Sequence, residues 1–166
     1  ASGKNSAAGL DGWSARDLSL LSDNALQRLV DLLNAIEKGA KWPKHMLETR
    51  AVFLSKDADD TCNPLKYRIL KITSGIYRKW ASVRLGNLKD WTLQWDDDAL
   101  NAGMPAKGAQ DAWMQKALEI ELATAMDKDT AGGSIDVYKC FYQINRDRIF
   151  KLAEEAGMPK RILVPY

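Results

Sequence analysis

The sequence is poor in the residues that build disulfide frameworks and metal centres. Its 166 residues include two cysteines and one histidine, and Cys62, Cys140 and His45 lie far apart in the chain. Disulfide frameworks and zinc sites need several such residues at short, regular spacings. The sequence therefore predicts neither kind of site, and the expected location is a reducing one inside the cell, the nucleus or the cytoplasm.

Long apolar runs are also missing. A membrane-spanning helix needs about 20 mostly apolar residues, and a secretion signal has a basic start followed by an apolar stretch. The sequence contains neither pattern, so we expect no membrane partner. With 46% hydrophobic and 28% charged residues, the chain is expected to form one packed domain or part of a larger one. Because it starts at Ala1 and stops straight after Val164 and Pro165, we interpret it as a piece of a longer protein.

What the sequence does have is an uneven distribution of charge. Residues 38–89 carry 12 basic and 4 acidic side chains, whereas residues 90–166 carry 9 basic and 13 acidic ones. A basic region of this kind is typical of proteins that bind phosphate groups. Solvated helix faces would give the same counts, and the charges alone do not separate the two interpretations.

The N-terminal part predicts helices. Ser14 and Asp17 have the spacing of a capping box. Apolar residues then recur every three or four positions from Leu18 to Ile36, which indicates one apolar helical face that packs in a core. Gly39 is the expected end of this helical region.

The rest of the chain mixes strands and helices, which predicts an α+β fold. Residues 49–55 and 66–73 have strand composition and predict a hairpin with a long tip. Helices are expected at 74–88, at 109–126 and from Asn145, and their predicted inward-facing residues include Ile76, Trp80, Val83, Trp113, Ala117 and Ile120.

An acid in a short strand-like segment is the most informative feature. Ser134 to Tyr138 predicts a strand in which Asp136 points away from Ile135 and Val137. Aspartate is depleted in strands, and a buried carboxylate has to be paired or bind a cation. With Phe141 five residues later, the segment Asp-Val-Tyr-Lys-Cys-Phe resembles motif A of reverse transcriptases of the non-LTR retrotransposon and group II intron type.

The resemblance implies roles for these residues. Asp136 would be a catalytic acid that binds Mg²⁺, with the carbonyl of Val137 as a further ligand. Phe141 would lie against the sugar of the incoming nucleotide and reject ribonucleotides. Cys140 and Tyr142 differ from the Lys-Ala-Phe-Asp that the family usually has, so the match is to a divergent member.

Two cations at the predicted hairpin are similar to those of the same family. Lys56 follows the first strand and Arg68 lies near the start of the second. A triphosphate needs such a pair of cations, because the lysine ammonium is a compact charge and the planar arginine guanidinium donates two parallel hydrogen bonds to phosphate oxygens. Phe-Leu-Ser-Lys-Asp at 53–57 and Tyr-Arg-Ile-Leu at 67–70 resemble the fingers hairpin of reverse transcriptases, although Ile69 and Leu70 replace the usual Pro and Ile. The resemblance implies that both cations bind the incoming nucleotide; without it they would be ordinary surface charges.

Two further segments resemble the family more weakly. Residues 4–13 are similar to the Lys-x-x-Gly-Pro-Asp-Gly segment that opens retroelement enzymes, and glycine-rich loops bring backbone N–H groups close to phosphates. Residues 102–113 are similar to the segment before motif A, although Asp111 would equally serve as a simple helix cap. Residues 94–98 contain three consecutive aspartates but precede motif A, so we expect an exposed acidic loop there instead of a second catalytic motif.

Taken together, the resemblance implies a fragment of a right-handed polymerase. Residues 1–105 would be fingers and residues 106–166 the beginning of the palm, truncated before motifs B and C. The complete enzyme would be an RNA-directed DNA polymerase that uses Mg²⁺, an RNA template, a DNA primer and deoxynucleoside triphosphates. Two-metal catalysis needs at least two carboxylates, so the chain alone is expected to be inactive.

The resemblance also predicts how the candidate site residues lie in space. If the resemblance is correct, Asp136 and Phe141 lie beside one groove together with Lys56 and Arg68. The alternative is a non-catalytic nucleic-acid-binding or interaction module derived from a reverse transcriptase. A generic helical interaction domain fits the leucine pattern but leaves Asp136 and the hairpin without a role.

Overall fold

A computed structural model describes residues 7–56 and 62–166. The fold is α+β: the described residues form helices and one two-stranded antiparallel sheet. The chain forms two compact units, which we call unit 1, Ala1–Gly86 with Pro159–Tyr166, and unit 2, Asn87–Met158. The division into fingers at 1–105 and palm at 106–166 concerns polymerase subdomains and stays a prediction.

Unit 1 begins with three helices, of which the first two have side-chain caps. They are α1 (Ala15–Ser19), α2 (Asp23–Glu37) and α3 (Lys44–Leu47). The capping box is confirmed, since Ser14 Oγ accepts from Asp17 N while the Asp17 carboxylate accepts from Ser14 N at 2.9 Å. Ser22 caps α2, and Gly39, with φ of 106°, takes the left-handed conformation that ends it.

The predicted hairpin is confirmed. Strands β1 (Arg50–Ser55) and β2 (Tyr67–Ile72) pair antiparallel, and a 3₁₀ turn at Pro64–Lys66 leads into β2. Helix α4 (Gly75–Asn87) follows, and Ser74 Oγ caps it by accepting from Ile76 N at 3.1 Å and Tyr77 N at 3.3 Å.

Unit 1 has a compact core in which aromatic rings pack edge to face. Helix α9 (Lys160–Leu163) adds Ile162, which is fully buried, to this unit. Trp80 was correctly predicted to face inward, whereas Val83 was not, because half of its surface is exposed. The buried apolar residues at the centre of the core are Ile36, Trp42, Met46, Ile76 and Trp80.

Unit 2 contains α5 (Lys89–Leu93), α6 (Ala109–Ala125), α7 (Cys140–Gln143) and α8 (Arg146–Glu155). The indole Nε1 of Trp91 donates to the Ala156 carbonyl at 2.9 Å and so ties the start of the unit to the end of α8. The extent of α6 was predicted correctly, but its predicted inward residues Trp113 and Ile120 are 70% and 57% exposed. In the described part of the chain, no helix is both long and apolar enough to cross a membrane.

The predicted strand from Ser134 to Tyr138 is wrong. Residues 131–137 have no regular secondary structure, and a turn at 138–139 leads into α7. A strand forms only where a second strand supplies hydrogen-bond partners, and β1 with β2 is the strand pair among the described residues. Among the described residues, this segment therefore has no neighbouring strand with which to form backbone hydrogen bonds, although its composition favours a strand.

Candidate functional site

The hairpin places Lys56 and Arg68 on one face of the paired strands. Leu54 is directly opposite Arg68 in the register, and Lys56 N donates to the Lys66 carbonyl at 2.8 Å, which extends the ladder past Ser55. Side chains alternate between the two faces of a strand, so Lys56 and Lys66 share the face of Arg68. Lys56 and Arg68 are diagonal neighbours, a separation that long side chains can bridge.

This face is rich in positive charge. Lys56 and Arg68 are exposed, and within the described ranges neither has a recorded ion pair. By the same alternation Arg50 lies on this face and Lys71 on the other, while the three acids of the hairpin sequence lie in the tip, at residues 57–61, outside the described residues. The paired strands therefore present cations and no carboxylate, an arrangement that favours phosphate groups.

The opposite face of the hairpin bears an open apolar recess of about 310 Å³. Phe53 and Tyr67 form part of its wall, with ring centroids 6.5 Å apart and planes at 82°. Among the described residues, Cys62 and Pro64 also line the recess. Asn63 Oδ1 accepts from Leu65 N at 3.0 Å, and this hydrogen bond stabilises the turn that leads into β2.

The segment that resembles motif A lies on the surface. Asp136 is exposed, as are Ile135 at 93% and Phe141 at 88%. The carbonyl of Val137 accepts from Cys140 N at 3.2 Å and thereby closes the turn before α7. This turn holds Lys139 at φ of 47°, a conformation that is uncommon outside glycine.

Lys56 and Arg68 belong to unit 1, whereas Asp136 and Phe141 belong to unit 2. A common groove for the four side chains therefore stays a prediction. Among the described residues, no group of three or more His, Cys, Asp or Glu is placed to hold a metal ion. Asp136 and the Val137 carbonyl do not make a Mg²⁺ centre by themselves.

The glycine-rich N-terminal loop has a structural role in its described part, residues 7–13. A side chain at Gly9 would lie 2.9 Å from the backbone of Thr73 and Ser74, so the loop passes directly over the end of β2. Arg78 Nη2 holds the loop by donating to the Ala7 carbonyl at 2.5 Å. The lysine of the family-like segment, Lys4, lies outside the described residues.

The two segments that precede motif A are accounted for by local contacts. Asp111 Oδ2 accepts from Gly108 N at 2.7 Å, which is the simple helix cap that the sequence left open. The three aspartates at 96–98 are exposed, as predicted. Lys107 Nζ contacts Asp96 Oδ1 at 2.5 Å, and hydrogen bonding to this carboxylate raises the pKa of the lysine.

The sequence did not predict a buried carboxylate in unit 1. Glu37 is 9% exposed, and its Oε1 accepts from Trp80 Nε1 at 2.9 Å and from Arg84 Nε at 2.5 Å. Its Oε2 accepts from Arg161 Nη2 at 2.9 Å. Desolvation alone would raise the pKa of Glu37, but the hydrogen bonds from Trp80, Arg84 and Arg161 outweigh it and hold the pKa below its ordinary value.

This carboxylate joins three helices of the unit. Glu37 ends α2, Trp80 and Arg84 are one turn apart on α4, and Arg161 lies in α9. The spacing of Trp80 and Arg84 puts two hydrogen-bond donors on one helix face. This spacing was the signal in the sequence that could have indicated a carboxylate partner. Which acid they meet depends on tertiary packing.

Comparison of the chain with protein-family models, with curated proteins and with solved structures found no match in any of the three.

Proposed function

We propose that the chain is the fingers and the beginning of the palm of an RNA-directed DNA polymerase of the non-LTR retrotransposon and group II intron type. The observation that supports this most is the hairpin register, in which Lys56 and Arg68 share one cationic face. The resemblance implies that both cations bind the incoming nucleotide, and a shared face would allow them to contact one triphosphate.

In this proposal the hairpin binds the triphosphate of an incoming nucleotide. Arg68 offers a planar fork to two phosphate oxygens, and Lys56 supplies a compact charge beside it. Phe141 restricts the 2′ position of the sugar. Asp136 and the Val137 carbonyl would contribute to a Mg²⁺ site, whose chemistry when the ion is bound is to stabilise charge on the transferred phosphoryl group.

The proposal requires a second acidic segment outside residues 1–166. The chain by itself should therefore give no templated incorporation on poly-rA primed with oligo-dT. Incorporation above background by the pure chain would contradict the assignment of Asp136 as one acid of a pair.

Nucleotide binding tests the hairpin directly. We expect dTTP titrated into the isotope-labelled chain to shift the backbone amide resonances of β1 and β2. The double variant Lys56→Ala/Arg68→Ala should weaken this binding by at least about tenfold, since hydrogen bonds to charged groups contribute roughly 1.5–3 kcal/mol each.

Lys44→Ala is the matched control, because it removes a cation of the same unit whose side chain is 92% exposed and lies 3.9 Å from Glu48. It should leave dTTP binding unchanged. Equal weakening by the control and the double variant would reduce the interaction to non-specific attraction and remove the basis of the proposal.

A second candidate is a non-catalytic nucleic-acid-binding module derived from a reverse transcriptase. It is supported by the hairpin, whose cations and exposed aromatic ring lie on one ribbon and need no contribution from Asp136. The discriminating variant is Asp136→Asn in a protein that carries the further palm segments. Loss of incorporation with binding intact supports the polymerase, whereas binding with no incorporation even before substitution supports the module.

A further inference from the structure

We propose that the outer edge of β1 and residues 134–138 form an interface between two copies of this chain. In this interface the segment of one copy adds a third strand to the hairpin of the other, and backbone hydrogen bonds supply the recognition. The partner is a second copy of the same chain. Neither Mg²⁺ nor a nucleotide takes part, so the interface does not depend on the proposed function.

The outer edge of β1 has unpaired backbone groups. Lys56 N donates to the Lys66 carbonyl, which makes these two residues a hydrogen-bonded pair. In an antiparallel ladder such pairs alternate with pairs whose backbone groups point outward. By the register, the N–H and C=O groups of Ala51 and Phe53 point away from β2, and no hydrogen bond joins them to another described residue. Both residues are exposed, so this edge is open to a further strand.

This edge also lacks the features that normally prevent strand addition. Charged side chains, prolines and bulges are the usual protection of an edge strand. From Ala51 to Ser55 the sequence has no charged residue and no proline, and the register with β2 runs without a bulge. The sequence of β2, in contrast, contains Arg68 and Lys71. A third strand is therefore expected on the side of β1.

Residues 134–138 are a strand-forming sequence without a strand partner. Ile135 and Val137 are β-branched and Tyr138 is aromatic, and such residues are enriched in strands. Ile135 is nevertheless 93% exposed, and the backbone of residues 134–136 makes no hydrogen bond to another described residue. The sheet of the described chain contains β1 and β2 alone. Every copy thus carries both an open edge and an unpaired segment, which favours a second copy over an unrelated partner.

The side chains of the two surfaces match on both faces. Along the segment, Ile135 and Val137 would point to one side and Asp136 to the other. On the hairpin, Phe53 and Arg50 lie on opposite faces. A third strand with its two apolar side chains beside the Phe53 ring therefore has its carboxylate on the cationic face. Aromatic with β-branched residues, and opposite charges, are favourable cross-strand pairs. A slip by one residue would reverse both contacts.

Two differently labelled copies measure the contact. The observed copy is isotope-labelled for amide spectra and carries Cys62→Ser and Cys140→Ser. The second copy is unlabelled, carries Cys62→Ser and has a nitroxide on Cys140, which is exposed and lies two residues after the segment. In an equimolar mixture without Mg²⁺ or nucleotide, we expect the amide signals of Ala51 and Phe53 to weaken at least twofold. Ascorbate, which reduces the nitroxide, should restore them.

A pair of proline variants tests the strand pairing. Ile135→Pro in the nitroxide copy removes a backbone N–H from the segment and should reduce the broadening at least fivefold. Thr130→Pro lies in the irregular stretch before the segment and should change the broadening less than twofold. Both positions lie outside helices and strands, so circular dichroism should show that both variants fold. Undiminished broadening with Ile135→Pro, or no broadening in the parent mixture, overturns the proposal.

Charge reversal tests the match of the faces. Asp136→Lys in the nitroxide copy would place a cation beside cations and should reduce the broadening at least threefold. Arg50→Glu/Lys56→Glu in the observed copy should then restore it to within twofold of the parent mixture. Broadening that is not restored would show that Asp136 does not lie on the cationic face, which contradicts the proposed strand.

A dilution separates contact between copies from contact within one chain. A copy that carries both the isotope label and the nitroxide is diluted tenfold into unlabelled protein without nitroxide. If the contact joins two copies, the unlabelled protein replaces the nitroxide partner and the signals of Ala51 and Phe53 recover. Broadening that persists after dilution would mean that the segment reaches the hairpin of its own chain, and the proposed interface would be wrong.

Discussion

The two compact units differ in how far they bury their apolar side chains. Unit 1 buries Ile36, Ile76 and Trp80 almost completely around one core. In unit 2, Leu88 is the large apolar residue that reaches a similar burial among the described residues, and α6 has no buried residue along its length. Helices of comparable length thus lie in one case against a core and in the other largely in solvent.

This difference indicates where the free energy of folding arises. Burial of apolar surface is the main stabilising contribution, at about 25 cal/mol per Å², and an isolated helix of 15 residues or so is marginal in water. Unit 1 has the buried contacts that such stability needs. Unit 2 relies mainly on helix caps and on contacts such as that of Trp91 with the Ala156 carbonyl.

The largest expected effect comes from a pair of identical substitutions in the two units. Trp80→Ala removes a ring that is 3% exposed and should lower the free energy of unfolding by about 3–5 kcal/mol. Trp113→Ala removes a ring that is 70% exposed and should cost below about 0.5 kcal/mol. Urea unfolding followed by far-ultraviolet circular dichroism measures both, and similar costs would mean that α6 is buried in solution.

The next effect concerns the buried carboxylate of unit 1. Glu37→Gln keeps the shape of the side chain but removes the negative charge that Arg84 Nε contacts, and the Arg84 side chain is only 17% exposed. We expect a loss of about 2–3 kcal/mol, near the lower limit for breaking a buried pair. Glu48→Gln is the matched control, since the exposed pair with Lys44 at 3.9 Å should contribute less than about 0.5 kcal/mol. A loss as small as that of the control would show that water screens the Glu37 contacts.

A smaller effect tests the close approach of the N-terminal loop to α4. A Cβ at Gly75 would lie 2.3 Å from the Trp13 carbonyl oxygen, so Gly75→Ala should destabilise unit 1 by about 1–3 kcal/mol. A Cβ at Gly86, near the end of the same helix, would meet no atom within 4 Å. Gly86→Ala should instead stabilise the helix by about 0.5 kcal/mol or more. Opposite signs in thermal unfolding confirm the packing, and equal signs contradict it.

The smallest effect is a pH dependence confined to unit 1. Because the pKa of Glu37 is lowered in the folded state, its contribution is complete above the ordinary value of about 4.5 and is lost as the pH falls through the lower folded value. One proton gives a slope of at most about 1.4 kcal/mol per pH unit. Glu37→Gln should reduce the slope of unfolding free energy against pH below pH 4.5; an identical slope in the variant would exclude this carboxyl as its source.

Local patterns predicted the parts of the fold that depend on local interactions. Ser14 caps α1 as predicted, and α8 follows Asn145 where a helix was expected to start, because a cap needs only residues within one turn. The hairpin followed in the same way from two strands that are close to each other in the sequence. These features include the cationic half of the candidate site, Lys56 and Arg68.

The errors all involve a partner that lies far away in sequence. The residues from Ser134 to Tyr138 have strand composition, but composition does not supply a neighbouring strand. The pattern of α6 shows which residues suit burial, and Trp113 is exposed because nothing in the described unit covers it. Glu37 was missed for the same reason, since its donors come from 43 and 124 positions along the chain.

The contact of Trp42 with the end of the chain has a consequence for biosynthesis. Trp42 Nε1 donates to the Pro165 carbonyl at 2.8 Å, and the ring of Tyr166 packs on Trp80 with centroids 5.3 Å apart. Unit 1 therefore cannot complete its core until the ribosome has also synthesised residues 87–158. Until then the nascent chain carries an uncovered aromatic surface, which makes this stage of translation the point at which a chaperone is most needed.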